Sequence, residues 1–141
     1  MANRSLELDP ALRARLAAQG DCFLADFLAR AVARNPAALE ALAELAQVLT
    51  RLGRHREGLR ADLALARACP EDPTVLYNLA CSLSLVGRLK AALSMLERAI
   101  QAGYIDAEHL RNDADLQALH GLDAFWALLR GLTQDSEFEP L

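Results

Sequence analysis

A 34-residue period constrains this 141-residue chain more than any other feature. Gly53 and Gly87 stand 34 apart, each followed by an arginine (Arg54, Arg88), and Pro36 and Pro70 are separated by the same interval. Sliding the chain by that period lays Leu42 on Leu76, Leu45 on Leu79, Ala46 on Ala80, Leu49 on Leu83 and Leu52 on Val86. Past the glycine, Leu59 meets Leu93 and Ala68 meets Ala102. Spacings of three and four mark the apolar face of a helix, so each unit reads as two helices. Such a pair cannot bury its apolar face alone and has to stack on neighbours.

The second unit shows how the pair is punctuated. Asp72 can cap a helix whose first turn holds Pro73, where a missing N–H costs nothing. That helix presents Leu76, Leu79, Ala80 and Leu83 on one side. Gly87 can adopt the left-handed conformation that ends it. A second helix returns Leu89, Ala92, Leu93, Leu96, Ala99 and Ile100 toward the first. Ala80 and Ala92 fall where the two helices cross, letting the backbones approach closely. Composition agrees. Ala and Leu supply most of the 53% hydrophobic residues, aromatics are only 5%, and valine and isoleucine never cluster in an alternating run. The expected fold class is all-α, helix packed on helix.

These residues carry a family resemblance. The pattern Leu76-x-Asn78-Leu79-Ala80-x-x-Leu83-x-x-x-Gly87-x-Leu89-x-x-Ala92-x-x-x-Leu96-x-x-Ala99 resembles the tetratricopeptide repeat. Residues 39–72 are a weaker copy through Leu42, Leu45, Ala46, Leu49, Gly53, Gly58 and Pro70, and Asp62 falls where that family places a large apolar residue. Leu24, Leu28, Ala31, Val32 and Pro36 resemble the second half of a preceding unit, with 10–19 as its reduced first helix. The run from Gly103-Tyr104 through Asp106, Leu110, Asp113, Asp115, Leu116, Leu119, Asp123, Phe125, Leu128 and Leu129 is similar to the ending of many bacterial tetratricopeptide proteins. The resemblance implies a right-handed α-α superhelix of antiparallel helix pairs, about two and a half repeats plus short capping helices. Its parts would be a degenerate N-terminal helix pair at 10–38, repeats at 39–72 and 73–106, capping helices at 107–133 and a flexible acidic tail at 134–141. Phe125 and Trp126, being adjacent, point to different sides, one to plug the open end of the stack.

Several function classes are disfavoured. A net charge of −4 gives no overall basic field for nucleic acid, and Glu57 breaks the local run Arg51, Arg54, Arg56, Arg60 into a solvated helix end. The opening MANRSLELDPALRARL has no apolar core of a secretory signal, and no stretch approaches the length of a membrane span, so no membrane insertion is expected. Cys22, Cys69 and Cys81 are odd in number and lack metal-ligand spacing, which points to a reduced cytoplasm. The single lysine, Lys90, against fourteen arginines suggests a GC-rich bacterial genome. His109, Asp113 and His120 could in principle gather a metal, but carboxylates near helix starts usually cap. Cys22, at the start of an expected helix, and Cys81 lack a visible base. No catalytic residue, metal or cofactor is expected, and a small thiol or metal enzyme is the rival reading from another class.

Binding of a protein or peptide is the expected function. In stacks of this kind the first helices line the concave side. The resemblance therefore implies a groove with Glu40, Ala43, Glu44, Gln47, Thr50 and Arg51 from the first unit and Thr74, Tyr77, Asn78, Cys81, Ser84 and Leu85 from the second. The same positions would read equally as solvated helix faces, but Tyr77 and Leu85 form an exposed pair that calls for a use. Asn78 matches one position of the clamp by which some family members grip chaperone C-termini. Glu40, Ala43 and Glu44 do not match its cations, so an apolar or mildly basic peptide suits the groove better. An adaptor or assembly role follows, with a dedicated chaperone for a secreted or assembling partner as the alternative. Self-association through the N-terminal helices or Trp126 is a further expectation.

Overall fold

A computed structural model describes residues 9–136. All of its regular structure is helical. Helix α1 spans Pro10–Arg34, α2 Leu39–Arg51, α3 His55–Ala68, α4 Pro73–Leu85, α5 Leu89–Gln101, α6 Ala107–Asn112 and α7 Asp123–Ser136, with a 3-10 segment at Ala114–Leu119 between the last two. Each of α1 to α4 packs on its successor, and the 3-10 segment packs on α4. The short connections at 52–54 and 86–88 turn α2 into α3 and α4 into α5.

A left-handed glycine makes each of those reversals, and a third ends α5. Gly53, Gly87 and Gly103 have φ of 74°, 83° and 113°, a region that L side chains enter only with strain. Each donates its N–H to the carbonyl three residues back, at 3.0 Å to Thr50, Ser84 and Ile100. The next residue reaches further back: Arg54 to Leu49, Arg88 to Leu83 and Tyr104 to Ala99, all at 2.9 Å. These paired bonds satisfy carbonyls that a helix end would leave orphaned. At the other end of α4, Asp72 Oδ1 accepts from the amides of Thr74 at 2.9 Å and Val75 at 3.1 Å, as its position before Pro73 predicts.

The helices cross at small residues. Ala46, Ala80 and Ala92 are buried. Gly58, which the period aligns with Ala92, has so little space that a Cβ there would lie 3.3 Å from Thr50 Oγ1. The core thickens toward the C-terminus. Leu76, Leu79, Leu83 and Leu96 pack with Leu110, Leu116, Leu119, Phe125 and Leu129 in one cluster, and Phe125 is wholly buried. Trp126 is half-buried and donates its indole N–H to the His120 carbonyl at 2.8 Å. The two aromatics differ in burial but not in neighbourhood: both rings lie against His120, with centroids 5.1 and 5.2 Å from it, and edge-on to each other at 5.2 Å. At the other end, Ala25 and Leu28 of α1 meet Leu45, Val48 and Leu49 of α2 in a smaller cluster.

Two expected boundaries differ. Residues 10–38 do not form a helix pair: α1 is one continuous helix of 25 residues. Gly20, its only plausible break, has no positive φ and sits among Ala, Leu, Arg and Gln, which carry the helix through it at a cost of about 1 kcal/mol. The helix stops at Asn35, whose position before Pro36 disfavours helical backbone. Cys22 consequently lies inside α1, exposed, and not at a helix start. Of the expected tail, 134–136 belong to α7, and 137–141 lie outside the described residues, as do residues 1–8.

Gly87→Ala is predicted to lower the unfolding free energy by about 1–2 kcal/mol, because open space surrounds the site and only the backbone conformation resists a Cβ. Gly87→Asn should lose less, since asparagine tolerates that conformation. Urea unfolding of both variants checks this, and a Gly87→Ala protein as stable as the parent would refute the left-handed stop.

Candidate functional site

A cleft of about 290 Å³ opens between α2, α4 and the α6 turn. Helix α2 contributes Ala46, Gln47, Thr50 and Arg51, α3 contributes Asp62, and α4 contributes Tyr77, Asn78, Cys81 and Ser82. His109, Asp113 and Asp115 close the far side.

Asp113 is the organising group. As the N-cap of the 3-10 segment, its Oδ1 accepts from the Asp115 amide at 3.0 Å. Its other oxygen accepts from the Tyr77 hydroxyl at 2.5 Å and from the Cys81 thiol at 3.7 Å. His109 Nε2 lies 3.6 Å from the same oxygen. The Tyr77 ring stacks on Tyr104 with centroids 4.4 Å apart and planes 5° from parallel, and Tyr104 directly follows the left-handed Gly103. Burial, reinforced by the bond to Asp113, pushes the Tyr77 phenol upward, and burial pushes Tyr104 up to about 12.

On the opposite wall, Asp62 is buried and accepts from the Ser82 hydroxyl at 2.5 Å. Burial raises its carboxyl from the ordinary 3.8 to about 6, and the Ser82 bond only partly offsets this. Asp115 is also raised, by burial first and then by the nearby Asp113 carboxylate. The one guanidinium on the lining, among the described residues, is that of Arg51. It is bound by Asp21 of α1, with Nη2–Oδ1 at 3.0 Å and Nε–Oδ2 at 3.2 Å. The hydrogen bond from Arg51 lowers the Asp21 carboxyl below its usual range. The cleft thus carries three carboxyl groups and a cation that is already neutralised.

The Cys81 thiol and the Asp113 and Asp115 carboxylates bring ligand atoms within 4.8 Å of one another. That set does not suit thiolate ligation, because burial and then the Asp113 charge push the Cys81 thiol well above its ordinary range. The same shift opposes a Cys81 nucleophile. Glu57, which interrupts the arginine run, forms an exposed ion pair with Arg54 at 2.6 Å.

Of the twelve groove residues read from the sequence, Gln47, Thr50, Arg51, Tyr77, Asn78 and Cys81 line this cleft. Glu40, Ala43, Glu44 and Thr74 lie on their helices outside it. Ser84 is buried, with no hydrogen-bond partner for its hydroxyl among the described residues. Leu85 is half-buried and faces a different surface, beside Gly53 and Glu57. The expected exposed pair of Tyr77 and Leu85 does not exist, since Tyr77 is 4% exposed beneath Tyr104 and Asp113. Sequence reasoning does not place Asp62, Ser82, His109, Asp113 or Asp115 in the groove. The signal for Asp62 is its break in the apolar pattern. Ser82 points about 100° round α4 from its neighbour Cys81, and no spacing rule links either to residue 113.

The fold is therefore that of an all-α protein of packed adjacent helix pairs. No family model matches the chain. The chain is 37% identical over 81 residues to a chloroplastic protein of Arabidopsis thaliana, a match taking in 55% of this chain and 24% of that protein. The chain thus spans about a quarter of the length of that relative. Among the described residues no helix is long and apolar enough to cross a membrane.

Asp62 makes a stability prediction. Its folded pKa of about 6 exceeds the ordinary 3.8, so the folded state holds the proton longer. The neutral carboxyl's contribution is complete below about pH 4 and is lost as pH rises to about 6. The gap corresponds to roughly 3 kcal/mol at most. Asp62→Asn keeps an acceptor for Ser82 and removes the ionisation. The variant's advantage over the parent should grow between about pH 4 and pH 6 and level off near 1–3 kcal/mol. Denaturant melts across pH measure it, and a pH-independent difference would show that Asp62 stays solvated.

Proposed function

We propose that the protein is an interaction adaptor whose acidic cleft receives a basic side chain of a partner polypeptide. One observation carries this reading: Asp62, Asp113 and Asp115 share a cleft whose guanidinium, Arg51, is neutralised by Asp21. A lysine or arginine entering there would gain charge-assisted hydrogen bonds and offset the burial of Asp62. Gln47 and Asn78 also line the cleft, with amides suited to a peptide backbone. The tetratricopeptide-like pattern of residues 73–106 supports a peptide ligand, as stacked helix pairs present such grooves. The right-handed course of the array and the repeat assignment of 39–72 belong to this same reading.

The mechanism is electrostatic capture followed by desolvation. The carboxyl groups draw the cation in, and the wall of Tyr77 and Ala46 then excludes water around it, strengthening each contact. Asp62 must be ionised for full effect, so affinity should rise with pH through about 6.

Peptide arrays with lysine, arginine, glutamate or alanine at the central position, probed with the purified protein, test the proposal. Basic-centred peptides should be retained, with at least about tenfold loss for an Asp62→Asn/Asp113→Asn double variant. Asp62→Asn alone should flatten the rise in affinity as pH passes through about 6. Equal retention of acidic peptides, or binding indifferent to the double variant, would overturn it.

A further inference from the structure

Helix α1 has two apolar faces, and the described residues cover only one of them. Leu24, Ala25, Leu28 and Val32 pack toward α2. On another side Leu12, Leu16, Phe23 and Phe27 are 42%, 49%, 76% and 61% exposed. At 100° per residue these four fall within about 60° of one another, a continuous stripe well away from the buried face. Residues 11–20 are exposed throughout, so the first turns of α1 have no cover from the described residues of their own chain. A bare helical extension of that length is marginal in water. Two exposed phenylalanines in line with two leucines exceed the scattered apolar residues of an ordinary surface.

We infer that this stripe is covered by the same stripe of a second copy of the chain, antiparallel, with a two-fold axis passing beside Gln19 and Gly20. The charges select this occupant and direction. The axis brings Leu12 against Phe27 and Leu16 against Phe23 of the second copy. It also sets Asp26 beside Arg15 and Asp9 beside Arg30 of the second copy, all four being exposed in the single chain. A parallel pairing would set Arg30 against Arg30 and Asp26 against Asp26, which like charges oppose. Gly20 adds a separate observation. A Cβ at Gly20 would meet nothing within 4 Å among the described residues, so packing among them does not demand a glycine that costs a helix about 1 kcal/mol. At the axis, the missing side chain lets the two backbones approach. The pairing is isologous, each contact occurring twice. The stripe shares no residue with the acidic cleft.

Sedimentation equilibrium of the full chain from about 10 to about 200 µM tests the pairing. The expected result is a concentration-dependent mass reaching twice the 15.3 kDa of one chain. Phe23→Glu/Phe27→Glu should stay monomeric with unchanged helical content, because both side chains lie off the α1–α2 contact. In a Cys22→Ser background, Gln19→Cys should oxidise to a covalent dimer and Leu12→Cys should not, since the antiparallel register holds the two residues 12 about 22 Å apart. A monomer at every concentration would overturn the inference and leave the stripe to the chain's first eight residues or to another protein. Cross-linking through Leu12→Cys, or a dimer indifferent to the glutamates, would overturn it equally.

Discussion

The left-handed backbone at three glycines is the constraint on which the rest of the structure depends. A chain so rich in alanine and leucine would by propensity extend one helix into the next. Gly53 and Gly87 stop it, and the paired backbone bonds behind each stop fix where the following helix starts. Only after α2 has folded back as α3 can Gly58 lie against Thr50, and only after α4 has folded back as α5 can Ala92 be buried. The leucines then have a partner surface. Local stops thus come before packing in the causal order, and the equal cap geometry at both glycines is the structural content of the 34-residue period.

The period breaks at one informative place. Sliding Cys69 forward by 34 lands on Gly103. Cys69 precedes Pro70, has extended backbone at φ −131°, and leads into α4. Gly103 takes φ 113° and leads instead into Tyr104, whose ring lies flat on Tyr77. The turn after α5 therefore differs in backbone from the turn after α3. After Gly103 the chain packs back on the last helix pair: Leu110, Leu116, Leu119 and Phe125 are buried in one cluster with residues of α4 and α5. The same turn sets Asp113 over Tyr77 and Cys81, so the acidic cleft is a by-product of how the last unit is closed.

Much of the fold is legible in the sequence because its determinants are local. The Asp72 cap, the glycine stops, the small residues at crossings and the buried phenylalanine next to a half-buried tryptophan all follow from short-range rules. The length of α1 is not legible, because Gly20 has the look of a stop. A glycine ends a helix only where the backbone turns left-handed, and at residue 20 nothing requires that. The cleft is half legible. Helical spacing puts Gln47, Arg51, Tyr77, Asn78 and Cys81 toward one side, yet it cannot show that Tyr104 and Asp113 come back from later in the chain to bury Tyr77. Nor can it show that Asp62, an apparent fault in the apolar pattern, answers Ser82 across the α3–α4 contact. Contacts between residues 20 to 36 apart with no shared periodicity leave no trace in one sequence.

The acidic cleft and the apolar stripe meet in one helix. Asp21 of α1 neutralises Arg51 on the cleft wall, which would otherwise add a free positive charge to the lining. Asp21 sits beside the free first turns of α1, where the chain itself supplies least cover. An exposed ion pair is screened by solvent and too weak by itself to hold the first turns of a helix in place. Covering the apolar stripe with a second copy would steady α1 along its whole length and keep Asp21 against Arg51. On the inferred pairing, a change that loosens α1 should weaken capture of a cation in the cleft through the Asp21–Arg51 contact, without touching any of the cleft's carboxylates.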